Sequence, residues 1–389
     1  MTRPGDTNDP FVARVASLAP GDGPTVAVKD MIGVEGLPLT AGFVHRRHVR
    51  ATTDALAVAR LKAAGHRVVG VTHTDAGGLG TMTERLINPR HPRRAVGGSS
   101  GGAAAAVAAG LATVGLGTDT GGSVRIPAAY CDLFAFKPTY GRVPLDGVIP
   151  LSHGFDHVGL MAADLAALTA TLPALVTNWD RRAAEPGEVR CPLAVLSDAV
   201  AASNDDVADA FNLVCQRLGA TIAIPDPSPY GLVSIAHGTL VCRDVWRQWG
   251  AEYLRRPGTI PESAAQAIRA GRDISTREMT VARTLAQEAA VAWRQAVDGF
   301  CAVLSPTLPC RPLARHAQTV RLKGVEEEAT NANIRLTLAH NVSGLPVAVI
   351  PAPGVSVQVI GRHGEDEALL ALVASLVDRL GMAPPRSPV

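Results

Sequence analysis

Two clusters of glycine and hydroxyl residues stand close together, "GGSSGG" at 97–102 and "GTDTGGS" at 117–123. Between them runs "AAAAVAAGLATVGL" (103–116). A flexible linker would be rich in glycine and serine, but it would not lead into alanine and valine and then into a second cluster. The chemistry that fits is attack on a carbonyl. Gly121 and Gly122 carry no side chains, so their N–H groups can converge on one point, and such a nest stabilises an oxyanion. Ser123, at the end of the nest, is the candidate nucleophile. A serine needs a base, and no histidine is an evident one. A buried lysine can serve when loss of water lowers its pKa. Lys29 ends the apolar run "TVAV" in a chain with only four lysines, where arginine carries almost all the positive charge. It is the candidate base.

Other motifs are weaker. "GLGTDTGG" lacks the third glycine and following helix of a dinucleotide loop. No Gly-Lys-Ser/Thr triplet marks a P-loop, and no GxSxG elbow is present. The pairs His45/His48 and His153/His157 lack a helix or a third ligand, so satisfied or solvated histidines are expected there. Cys131 has no activator in "AAYCDLF" and reads as a structural thiol. Trp246 and Trp249 can line an aromatic pocket, although core residues at near-helical spacing are the safer reading, and Arg125 can meet a substrate carboxylate or pair with Asp119.

The elements that must hold these residues follow from the pattern. "TVAVKDMIGVEG" (25–36) predicts a strand with a polar end, "TTDALAVARLKAAGH" (52–66) a helix capped by Thr52 or Thr53 and ended by Gly65, and "RVVGVTH" (67–73) a second strand. That is the unit of a sheet covered by helices. The first glycine cluster opens a helix at about 101–110, whose free N–H groups the hydroxyls of Ser99 and Ser100 can cap. A strand at about 111–117 leads to the second cluster. Helices are expected between 180 and 300, buried strands at 301–309 and 345–354, an amphipathic helix at 365–381, and a loose tail "MAPPRSPV". Strands before 160 and after 300 can share one sheet. The net charge of +2 gives no sign of a nucleic-acid or anionic-membrane binder. The polar start "MTRPGDTNDP" and the lack of a long apolar run suggest neither a signal peptide nor a membrane span. Six scattered cysteines without a CxxC pair suggest a reduced cytosolic setting.

At this point the residues match a family. The sequence resembles the amidase signature family, serine hydrolases with a Ser–Ser–Lys triad. "AVKDMIGVEG" (27–36), the long block 96–143, "GVIPLSHGFDHVG" (147–159), "NVSGLPVAVIPAPG" (341–354) and "VQVIGRHGEDEALL" (357–370) carry the resemblance, which spans nearly the whole chain. By position it implies that Ser123 is acylated, that Ser99 bridges, and that Lys29 is the base. It implies a cis Gly98–Ser99 peptide, an oxyanion hole of the Thr120, Gly121, Gly122 and Ser123 N–H groups, and a supporting Ser100 hydroxyl. No metal and no organic cofactor are implied. His73, Asp132 and Gly154 depart from the family's usual residues, and the chain is short between 160 and 300.

The expected fold is α/β: a single amidase domain over 1–389 with a central mixed, twisted β-sheet covered by helices on both faces. Its signature core covers about 25–160, a variable helical pocket region about 165–300, and C-terminal strands and a helix 301–382. The expected function is hydrolysis of a small carboxamide through a Ser123 acyl-enzyme. One alternative is the amidase component of a tRNA-dependent amidotransferase, against which the short C-terminal half and near-neutral charge argue. Another is a catalytically silent binding protein on the same fold. The expected partner is a small-molecule amide, with no nucleic acid, no membrane, room for a homodimer, and a cytoplasmic location.

Overall fold

The structure, a computed structural model, describes residues 7–184 and 191–382. Most of the polar start and of the tail expected to be loose lies outside the described residues. The strands are β1 (Phe11–Arg14), β2 (Thr25–Lys29), β3 (Arg67–Thr72), β4 (Val114–Asp119), β5 (Phe134–Lys137), β6 (His157–Ala162), β7 (Leu193–Leu196), β8 (Ile222–Ile224), β9 (Ala302–Pro306), β10 (Thr319–Leu322), β11 (Val325–Glu328), β12 (Val347–Ala352) and β13 (Val355–Ile360). The helices are α1 (Leu56–Ala63), α2 (Gly101–Ala108), α3 (Arg125–Tyr130), α4 (Leu165–Leu175), α5 (Ser197–Ala201), α6 (Asp205–Leu218), α7 (Tyr230–Arg255), α8 (Glu262–Arg272), α9 (Thr276–Val297), α10 (Ala329–Ile334), α11 (Ala339–Val342) and α12 (Asp366–Arg379).

One 11-stranded sheet runs β1-β3-β2-β4-β6-β5-β12-β13-β9-β7-β8, and β10 and β11 form a separate hairpin. The sheet is mixed. β2 lies parallel to β3 and β4, and β7 lies parallel to β8 and β9. β6, β5, β12 and β13 run antiparallel to their neighbours. Strands before 160 and after 300 thus share one sheet, joined by the β5–β12 pairing.

Both faces are covered. Val26, Val28, Val114, Leu116, Phe136 and Leu160 pack under α1, α4, α6 and α12. On the opposite face, Ala103, Ala104 and Val107 of α2 and Ala128 of α3 meet Ala135, Met161 and Val349. A Cβ at Gly115 would lie 2.9 Å from the Ala103 carbonyl oxygen, and one at Gly117 would lie 2.6 Å from Ser100 Oγ. The glycines of "VGLGTD" therefore let α2 lie directly on β4, which brings the two clusters together. Helices α7, α8 and α9 build a second core with Met31, Phe43, Leu151 and Phe155 beside the sheet.

Some local expectations fail for physical reasons. Helix α1 starts at Leu56 after Ala55, not at Thr52 or Thr53. Residues 51–54 are held elsewhere: the Ala51 carbonyl accepts from Gly36 N, and Asp54 binds the Glu35 N–H and Lys62. Cys191 and Cys301, separated by 110 positions, form a disulfide. The expectation of reduced cysteines missed it because their nearness arises only when Leu193 of β7 registers with Ala302 of β9. Among the described residues, no helix is long and apolar enough to cross a membrane.

Candidate active site

Strand alternation carries Lys29 to the same face as Ala27, which packs against Ala106 of α2. Lys29 is fully buried. Its Nζ donates to the hydroxyl oxygens of Ser99 (2.8 Å) and Thr118 (2.7 Å). Burial lowers its pKa from 10.5 to about 7, against the upward pull of the carboxylates of Asp75, Asp119 and Asp156. Asp30, next in sequence, faces away, where it binds the Thr40 N–H (2.7 Å) and the Thr40 hydroxyl.

The Gly98–Ser99 peptide is cis. The Ser99 carbonyl accepts from the Thr74 hydroxyl (2.7 Å). Ser100 is the residue before α2, but its hydroxyl does not cap that helix. It donates instead to the Thr118 carbonyl (3.1 Å), while its N–H donates to the Ser123 carbonyl (3.1 Å). Ser100 therefore ties α2 to β4 and to the backbone of Ser123. Ser123 is 9% exposed. No hydrogen bond joins its hydroxyl to Ser99, so the first link of the expected relay is formed and the second is open.

The nest also differs from expectation. Gly122 has φ of +130°, and its N–H donates to Asp119 Oδ1 (2.9 Å). It is thus turned into the protein rather than toward a substrate. Among the described residues, the N–H groups of Thr120, Gly121 and Ser123 make no hydrogen bond, which leaves three donors for an oxyanion. Asp119 organises this turn. Its carboxylate also accepts from the Val124 N–H (3.1 Å), Asn341 Nδ2 (2.8 Å), and Arg125 Nε (3.1 Å) and Nη2 (2.9 Å). Burial alone would raise the Asp119 carboxyl. The Arg125 guanidinium, with Asn341 and Lys137, overrides that and holds it well below the carboxylate range. Arg125 itself is buried; its Nη1 donates to the Thr337 carbonyl and Gln358 Oε1, and its Nη2 also donates to Asn341 Oδ1. It is not available to a substrate carboxylate.

Side chains given weaker roles stay outside the site. Trp249 is buried against Phe43, ring centroids 4.9 Å apart. Burial pushes the Cys131 thiol up, away from nucleophile chemistry. His45 binds Glu252 (2.6 Å), and His157 Nδ1 meets the Phe155 carbonyl (2.7 Å). Beside Phe155 a cavity of about 270 Å³ opens between α7 and α9, with Leu240, Met279 and Ala286 on its walls.

The model of the family described as Amidase matches residues 16–207. The A-type component of the glutamyl-tRNA(Gln) amidotransferase of Thermus thermophilus is 32% identical, over 98% of this chain and 90% of its own length. The chain belongs to the amidase family. The component of the same name from Methanospirillum hungatei is 29% identical over 94% of this amidase and 96% of its own length. A solved structure described as an amidase superposes with a TM-score of 0.83 at 29% identity, covering 92% of this chain and 85% of that one.

These relatives overturn the expectation of no nucleic-acid partner, because they are named as components of an enzyme of glutamyl-tRNA(Gln). A whole-chain charge of +2 was a poor guide. It averages over the surface, and in an assembly another chain can supply the basic contacts. The argument from shortness fails too, since the amidase spans nearly the full length of both relatives.

Sequence reasoning missed several residues of this site. Thr118 holds Lys29. Asp75 accepts from the Thr83 N–H (2.9 Å) and hydroxyl (3.1 Å), and burial raises it to about 7, against Thr83 and Lys29. Asp156 accepts from the Thr120 hydroxyl (2.6 Å), and His237 of α7 binds the Thr120 carbonyl (2.9 Å). Thr118 lies inside the second cluster, where its spacing gives it no role of its own, and Asp75, Asp156 and His237 are single residues that only the tertiary structure brings in.

Proposed function

We propose that this amidase opens a carboxamide C–N bond through an acyl-enzyme on Ser123, and that it acts as the ammonia-releasing component of a tRNA-dependent amidotransferase. The observation that carries the chemistry is Lys29, fully buried and 2.8 Å from Ser99 Oγ, behind a turn of free N–H groups that ends in Ser123. The names of two nearly full-length relatives favour the amidotransferase component over a stand-alone hydrolase of small amides.

The neutral Lys29 amine takes the Ser99 proton as Ser99, its open link to Ser123 closing in the substrate complex, takes that of Ser123. Ser123 Oγ attacks the carbonyl carbon, and the N–H groups of Thr120, Gly121 and Ser123 hold the oxyanion. The relay returns a proton to the departing nitrogen, which leaves as ammonia. Water, deprotonated by the same relay, adds to the acyl-enzyme and frees the carboxylate. The reading includes a cytoplasmic location, supported by four free cysteines, three of them buried. The Cys191–Cys301 disulfide runs against it, and alkylation of thiols in intact cells reads its state.

An alkyl fluorophosphonate is expected to modify Ser123, as located by mass spectrometry. Label on another residue with Ser123 unmodified sinks the assignment. Purified protein given L-glutamine is expected to release ammonia, and Ser123→Ala to abolish the release. Turnover of arylamides without any turnover of glutamine returns the chain to the stand-alone reading.

A further inference from the structure

Each trans peptide is a rigid plane with its carbonyl at one end and its N–H at the other. A hydrogen bond to the carbonyl therefore fixes the direction of the N–H and strengthens it as a donor. This applies to every peptide of the nest. The Gly122 carbonyl accepts from the Ile126 N–H (2.7 Å), which aims the Ser123 N–H. The Gly121 carbonyl accepts from the Thr337 hydroxyl (2.5 Å), on the peptide whose N–H goes to Asp119. The Thr120 carbonyl, on the peptide whose N–H belongs to Gly121, is 2.9 Å from His237 Nε2.

We propose that His237 is a positioning residue for the oxyanion hole, acting through the Thr120–Gly121 peptide. This rests on the reading that Ser123 is the acylated residue. A carbonyl oxygen only accepts, so Nε2 carries the proton. The ring is placed over the peptide it serves: a Cβ built on Gly121 would lie 3.4 Å from His237 Cε1. Phe155 backs the ring at 5.0 Å between centroids, tilted by 32°. Burial lowers the His237 pKa, so the ring is held neutral with its one N–H on the Thr120 side. Thr120 is fixed from its other flank by Asp156, which also takes the N–H groups of Leu151 (2.9 Å) and Ser152 (3.0 Å). The Ser123 N–H is aimed by α3 backbone. The Gly121 N–H is aimed by one side chain on α7, outside the blocks that hold the triad.

The test measures the rate at which an alkyl fluorophosphonate modifies Ser123 in the purified full chain. The phosphoryl oxygen gains charge as the serine adds, so the rate reads the oxyanion hole with no knowledge of the natural amide. His237→Phe keeps a ring and loses the donor. It is expected to slow the maximal rate by about 10- to 100-fold, less than the roughly 10²–10³-fold cost of removing an oxyanion donor outright, because the Gly121 N–H stays and loses only its brace. The half-saturating reagent concentration should change by less than about twofold. His237→Gln, which still offers an N–H, is expected to regain most of the rate. Thermal unfolding is followed for each variant, and His237→Met replaces the phenylalanine variant if that one does not fold. Wild-type rates in the phenylalanine or methionine variant overturn the proposal. So does a glutamine variant as slow as they are. A wild-type protein that is never labelled on Ser123 instead overturns the acyl-enzyme reading, which keeps the two failures apart.

Discussion

Lys29→Ala is expected to remove almost all turnover, and Lys29→Arg to restore none of it. Loss of a general base costs about 10²–10⁴-fold, and more where the base starts a relay. The size follows from the lysine's surroundings. A solvated lysine with pKa near 10.4 would be neutral in fewer than about one molecule in 10³ at pH 7. Burial lowers the Lys29 value to about 7, even with Asp75, Asp119 and Asp156 nearby. The proposed base works as the neutral amine, so kcat/KM should rise with pH through about 7 and level off above it. Arginine fills similar space but stays charged throughout. The measurement is kcat/KM against pH for wild type and both variants on one amide. Near-normal activity in Lys29→Arg would move the base elsewhere, with His237 the first to examine. A rate that falls as pH rises through 7 would contradict the neutral amine.

Arg125→Met is expected to destabilise the protein by about 3–5 kcal/mol, the usual cost of removing one partner from a buried ion pair. Both side chains are wholly buried, and two nitrogens of Arg125 meet the two oxygens of Asp119. Removal of Arg125 leaves a buried carboxylate whose other partners are amide and backbone N–H groups. The combined change Asp119→Asn with Arg125→Met should cost less than the two single changes added together, because it leaves no buried charge. Urea unfolding of the four proteins checks this. Strict additivity would show that the two side chains act independently. The pair also bears on catalysis, since Asp119 holds the Gly122 N–H and the turn that presents Ser123.

What could be read from the sequence was whatever leaves a run or a spacing. Lys29 shows because it ends an apolar strand, and the nest shows because glycine is dense there. The opening β2–α1–β3 unit shows through its two β-branched runs. Strands β7 and β8, at 4 and 3 residues, are too short to stand out. The role of Gly122 could not be read, because glycine density does not say which N–H points inward. Asp119, three places before Gly122, takes that one. His237, Asp156 and Thr337 lie far along the chain from the turn they brace, and no local pattern connects them. The disulfide depends on a strand register set by the whole sheet.

The β5–β12 pairing also shapes how the chain is made. Lys137 of β5 lies opposite Val347 of β12, 347 − 137 = 210 residues later. At a synthesis rate of about 5–20 residues per second, β5 waits on the order of 10–40 s for that neighbour. Throughout that time the nascent N-terminal half, with its serines and lysine already out of the ribosome, has an open edge able to pair with any passing strand. A ribosome stalled before β12 would therefore release an adhesive fragment rather than a smaller enzyme.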